Sequence, residues 1–149
     1  MPRADLPFGW KVEAGLAALV IPPLIHLVPL HRLARWLGGS GAASVPGTGV
    51  EARRTAEWVD GVLRRLPWPW HRTCLKRAAV LYHLLRRRGE PVELRIGVRR
   101  NEAGRLAAHA WLTREGVCYL EFPGQVEPSE RVGDFTEIAC FPEPGTGVR

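Results

Sequence analysis

Between residues 14 and 30 nearly every position is apolar, and further along the hydrophobic pattern takes first a helical and then a strand period. Pro22, Pro23, Pro29 and His26 interrupt the first stretch. Proline removes a backbone donor and clashes with the preceding turn. The stretch therefore reads as short apolar pieces rather than a segment able to satisfy every backbone group in lipid. It is expected to dock on the domain or on a partner, with peripheral membrane contact as its second use. A short basic helix over residues 31–37 follows, and residues 1–37 together read as an apolar helical arm. Residues 38–50, rich in glycine and flanking Ser40 and Ser44, read as a flexible linker, because such residues keep chain entropy high and offer nothing to pack.

A helical period runs through residues 51–66. It places Trp58, Val59, Val62, Leu63 and Leu66 on one side and mostly Arg53, Arg54, Asp60, Arg64 and Arg65 on the other. Pro67 and Pro69 end it. Thr73 suits the N-cap of a second helix over residues 74–88, and Gly89 followed by Glu90-Pro91 stops that helix. Ala78, Leu81 and Leu85 continue from Cys74 at spacings of four, three and four, so the thiol begins the stripe that packs. The period then changes to two: Val92, Leu94, Ile96 and Val98 alternate with Glu93, Arg95 and Gly97. Further strands are predicted over residues 106–113 and 117–122, joined by the turn Arg114-Glu115-Gly116. The pattern predicts an α+β fold, with a cysteine-bearing helix packed on a small antiparallel sheet. Residues 51–140 form its core and residues 141–149 a tail rich in proline and glycine.

A chain of 149 residues with 46% hydrophobic content can bury one core but not two, so a single domain is expected. The net charge of +6 is compatible with nucleic acid, an anionic membrane or an acidic polypeptide. Much of it lies at residues 53–54, 64–65, 86–88 and 99–100, where helix ends, exposed faces and a hairpin tip would carry it in any case. No recognised nucleic-acid motif accompanies it, so nucleic acid is not an expected partner. The three cysteines are an odd number, and residues 1–5 lack a basic segment leading into a cleavable apolar run. A reduced, cytoplasmic location is the expectation, where a thiolate can persist. With no C-x-x-C pair, no His-x-x-x-His pair and no glycine-rich phosphate loop, neither a metal nor another cofactor is expected.

Three residues fit together as one site. Cys74 opens a helix, where unpaired N–H groups and the macrodipole favour a thiolate. A nucleophilic cysteine needs a base, and that base needs an acceptor to fix its tautomer. If Arg114-Glu115-Gly116 is a three-residue loop, Thr113 faces Val117 and His109 lies directly opposite Glu121. Opposed residues have Cβ atoms about 5 Å apart, within reach of a carboxylate–imidazole hydrogen bond. A two-residue loop would instead oppose His109 to Phe122. His26 and His31 lie in the arm, His83 is mid-helix, and His71 suits a turn beside the thiol. Cys118 reads as packing within its strand.

The segments Cys74-Leu75-Lys76-Arg77-Ala78-Ala79, Leu84-Leu85-Arg86-Arg87-Arg88-Gly89, Leu94-Arg95-Ile96-Gly97-Val98 and Ala108-His109-Ala110-Trp111-Leu112 carry a family resemblance. Over roughly residues 50–123 the chain resembles the free-standing leader peptidases of lasso-peptide biosynthesis, which are transglutaminase-like cysteine proteases. The resemblance implies a papain/transglutaminase-like core with Cys74 as nucleophile and His109 as base and later acid. The family usually has aspartate at the third position, where this chain has Glu121; Asp134 is the substitute. It further implies a precursor peptide as substrate, a separate leader-recognition protein to present it, and an ATP-using lasso cyclase that acts afterwards. Two other readings share the fold. In one, an amine replaces water and the enzyme is a transamidating acyltransferase; in the other, the chain is a non-catalytic scaffold of a peptide-maturation complex.

Overall fold

In a computed structural model of the chain, the described residues are 6–39, 49–70, 73–121 and 134–142. Four helices precede the sheet: α1 (Phe8–Leu27), α2 (Leu30–Leu37), α3 (Gly49–Arg65) and α4 (Cys74–Arg87). The strands are β1 (Val92–Arg100), β2 (Leu106–Arg114), β3 (Val117–Tyr119) and β4 (Thr136–Phe141). They form an antiparallel sheet in the order β3-β2-β1-β4. The α+β expectation therefore holds, with β4 an additional strand at the far edge. Residues 40–48 of the expected linker, His71, Phe122 and residues 143–149 of the expected tail lie outside the described residues.

α4 is the centre of the molecule. It packs on β1 and β2 on one side and on α1, α2 and α3 on the other. Its apolar stripe accordingly understates its burial: Val80, Tyr82 and Leu84 are buried along with Ala78, Leu81 and Leu85. Arg77, three residues after Cys74 and four before Leu81 and so beside the stripe, is buried as well. Both ends are capped. The Thr73 hydroxyl accepts the Lys76 N–H at 3.3 Å, a contact typically worth about 1 kcal/mol. At the other end Gly89 takes φ +76°, and the Glu90 and Gly89 N–H groups close on the Leu85 and Arg86 carbonyls.

The reading that prolines divide the apolar stretch holds at Pro29, which separates α1 from α2, and is corrected at Pro22 and Pro23. α1 runs unbroken through Pro22 and Pro23. A proline at 23 cannot donate to the Leu19 carbonyl four residues back, and the Trp70 indole Nε1–H takes that place at 2.7 Å. A side chain from another part of the fold thus satisfies the backbone group that the sequence pattern leaves open. The inner face of α1, including Trp10, Ala14, Ala17, Ala18 and Ile21, joins the same core as α4. Trp10 also donates to the Thr55 hydroxyl of α3 at 2.8 Å.

Candidate active site

Cys74 is the first residue of α4 and half-buried. Burial by itself raises the pKa of a thiol, since it penalises the charged form. Here the opposing contacts win. Hydrogen bonding to the His109 side chain, the N–H groups of Ala110 and Leu75, and the charge of an imidazolium together hold Cys74 below the ordinary value of 9.0. The Leu75 N–H belongs to the first turn, where helix geometry leaves donors without intrahelical acceptors. The thiolate is thus stabilised from two directions, by its own helix and by β2.

The length of β3 explains why β2 can supply a donor. β3 pairs with β2 only at Arg114↔Val117, Thr113↔Cys118 and Leu112↔Tyr119. The next residue, Leu120, has φ +61° and leaves the strand conformation. Opposite Ala110 there is no further strand pair, and its N–H serves Cys74 instead. Arg77 holds this break in place. Its Nη2 donates to the Leu120 carbonyl at 2.7 Å, while its Nε donates to Asp60 Oδ1 of α3 at 2.8 Å. The side chains of Arg77 and Asp60 are 5% and 4% exposed, so this is an interior ion pair. Removing one partner of such a pair typically costs about 3–5 kcal/mol.

His109 is buried and lies opposite Gly97 in the β1–β2 register. Trp111 stacks beside it with ring centroids 5.9 Å apart, and Phe135 approaches at 5.4 Å. Gly97 is required by this packing: a Cβ there would come within 2.9 Å of both the Phe135 Cβ and the Trp111 ring. Phe135 directly precedes β4, and a bulge at Ile138, beside the Ile96/Gly97 step, follows it. The imidazole is therefore walled by aromatic rings, which fix its plane and keep it close to the thiol.

Compared with known protein families, residues 16–139 match the transglutaminase-like superfamily. The chain belongs to the transglutaminase-like superfamily. No curated protein and no solved structure matches it. The matched region takes in most of α1 as well as the sheet, so the apolar helix is part of the transglutaminase-like domain. That superfamily is generally one of cysteine peptidases and acyltransferases, and the juxtaposed thiol and imidazole have the chemistry that such acyl transfer requires.

The third sequence-predicted residue stands differently in this transglutaminase-like domain. The β2–β3 turn is the two-residue Glu115-Gly116, with φ +53° and +79°, the backbone combination that suits a tight hairpin. This corrects the three-residue loop and the direct His109–Glu121 opposition. Among the described residues the β2–β3 pairing ends at Leu112↔Tyr119, and neither His109 nor Glu121 takes part in it. Glu121 is half-buried, and its charge contributes to raising the Cys118 thiol, after burial. Asp134 is exposed and immediately precedes Phe135, the ring packed on His109. Cys118 lies exposed on β3 rather than packed inside, and Cys140 sits on β4 opposite Arg95. Burial raises both thiols above 9.0, the reverse of Cys74.

Sequence reasoning missed Gly97, Phe135, Arg77 and Trp70 as residues that shape the site. Gly97 carried a signal, since a glycine inside an alternating strand marks a close approach of another group. Arg77 carried a partial one, since its spacing from Cys74 and Leu81 puts it beside the apolar stripe, but its partner Asp60 comes from another helix. Among the described residues no cluster of His, Cys, Asp or Glu is arranged to hold a metal ion.

Proposed function

We propose that the chain is a cysteine peptidase that removes the leader from a ribosomally made lasso precursor peptide, presented by a separate leader-recognition protein. The observation that carries the peptidase reading is the hydrogen bond between Cys74 and His109 at a helix N-terminus, with the thiol held below its ordinary pKa. The substrate class rests on the resemblance of residues 50–123, including Ala108-His109-Ala110-Trp111-Leu112, to lasso leader peptidases.

In this reading the Cys74 thiolate attacks the scissile carbonyl carbon, and the C–N bond breaks as His109 gives its proton to the departing amine. The acyl group is left as a thioester. Water then adds to the thioester with His109 as base, releasing the leader carboxylate and restoring the thiol. The Cys74 backbone N–H, at the first helical position, is one donor for the developing oxyanion. The Trp70 indole is committed to the Leu19 carbonyl and does not serve as the other. Glu121 is assigned as the acceptor that orients His109. Glu121 is half-buried just past the end of β3, and the resemblance of residues 50–123 implies a carboxylate in this role. The freed amine would then pass to the lasso cyclase.

The test combines the purified chain, the leader-recognition protein and the precursor peptide, with products read by mass spectrometry. Cleavage at one bond by wild type and none by Cys74→Ala is the expected result. An intact precursor in a demonstrated three-component complex would overturn the peptidase reading.

A further inference from the structure

α1 has one face in the core, and its other face has almost no polar character. Its exposed residues are Phe8, Gly9, Val12, Leu16, Leu19, Val20, His26 and Leu27. From Phe8 to Val20 they recur at spacings of three and four, along one side of the helix, and Leu27 lies two turns beyond Val20 on the same side. Phe8 is 83% exposed and Leu27 78%. At 1.5 Å per residue the stripe runs for about 30 Å. Water-facing helix surfaces are normally polar, and a long exposed apolar patch on a folded domain marks a surface with an occupant.

The surroundings identify the occupant. α2 follows after only Val28 and Pro29, and it exposes His31, Arg32, Arg35 and Trp36. Within residues 6–39 the one carboxylate, Glu13, is bound to Arg87 at 2.7 Å. No acidic side chain is therefore exposed in this segment. At the edge of the stripe Trp68, 78% exposed, stands with its ring 6.2 Å from His26. Apolar stripe, exposed tryptophans and uncompensated arginines are the combination that suits the headgroup boundary of an anionic bilayer. The apolar side chains enter the acyl region, the indoles sit at headgroup level, and the cations pair with lipid phosphates. α1 is long and apolar enough to cross a membrane by length and composition. Its inner face, however, is part of the protein core, so it would lie along the surface rather than span.

We propose that the outer face of α1, with Trp68 and the basic face of α2, docks this domain on an anionic lipid surface. The Trp68–Trp70 turn, tied to α1 through the Leu19 carbonyl, leads into α4. The proposal depends only on this surface and stands whether or not the chain is a peptidase.

Sedimentation of the full chain with vesicles of phosphatidylcholine, with and without phosphatidylglycerol, tests it. Wild type is expected to pellet with the anionic vesicles and much less with the neutral ones. Val12→Glu with Leu16→Glu, and separately Arg32→Glu with Arg35→Glu, should each weaken binding at least about tenfold. Cys74→Ala should bind as wild type does, and circular dichroism should show every variant folded. Wild type left in solution with anionic vesicles would overturn the proposal, as would binding that the folded Val12→Glu/Leu16→Glu variant retains. A dimer, or a complex with the leader-recognition protein, that the same variant abolishes in the absence of vesicle binding would reassign the face to protein and equally overturn it.

Discussion

Two neighbouring stretches of β2 meet opposite fates. At Leu112 to Arg114 the strand is covered on one side by β3 and on the other by β1. Its polar surface there is saturated: Arg95 reaches Thr113 at 3.0 Å, Glu93 at 2.7 Å and Glu137 at 2.6 Å, and Thr113 donates to Glu93. Two residues earlier β3 has ended, and Ala110 gives its N–H to a cysteine sulfur. Where the polar groups answer one another the sheet is inert. Where a strand stops short, the same backbone supports an anion instead, and a thiol becomes a nucleophile.

Removing the sulfur from the open stretch should have the largest effect. Cys74→Ala should abolish acyl transfer in the reconstituted cleavage assay, whereas Cys118→Ser, on β3 opposite the covered stretch, should leave its rate unchanged. Loss of rate in Cys118→Ser would show that the distinction between the two stretches is wrong.

The break itself can be attacked through Arg77. Arg77→Met leaves Asp60 buried without its guanidinium and the Leu120 carbonyl without its donor. A loss of about 3–5 kcal/mol in urea unfolding is expected. The variant should also lose activity at temperatures where it remains folded. A stable, fully active Arg77→Met would mean that the end of β3 holds without it.

Glu121→Gln is expected to slow turnover by about 100-fold, the low end of the usual range for general acid–base contributions, and far more than Asp134→Asn. The opposite ranking would move the orienting role to Asp134, the residue next to the Phe135 ring. Both variants should leave the unfolding midpoint close to wild type, which separates orientation from stability.

The gentlest contrast is among the three thiols. Cys74 lies below 9.0 because its hydrogen bonds outweigh burial, while burial holds Cys118 and Cys140 above it. Iodoacetamide labelling followed by peptide mapping should therefore show Cys74 reacting with an inflection below pH 9.0 and the other two above. A folded value below the unfolded one also means that the Cys74 thiolate adds stability that is complete above the unfolded pKa. That contribution is lost as pH falls through the folded value. One shared inflection for all three thiols would erase the contrast.

The chain carries much of this in its local pattern. Thr73 before Cys74, the apolar spacing after it and Gly89 beyond it are enough to define α4, because capping and helical period act over a few residues. The alternation from Val92 to Val98 likewise defines β1, and Cys74 and His109 were legible as a pair from residue type and position. The hairpin register was not. The sequence Arg114-Glu115-Gly116 admits a loop of two or three residues, and packing of the strands chose two, which moved Glu121 off the position opposite His109. Nor could local pattern show that α1 continues through Pro22 and Pro23, since the Trp70 indole that meets the Leu19 carbonyl comes from beyond α3. The pairing of Arg77 with Asp60 of α3 belongs to the same class. Propensity and period are properties of adjacent residues, whereas the partner of an orphaned carbonyl or a buried charge is fixed only when distant segments pack together.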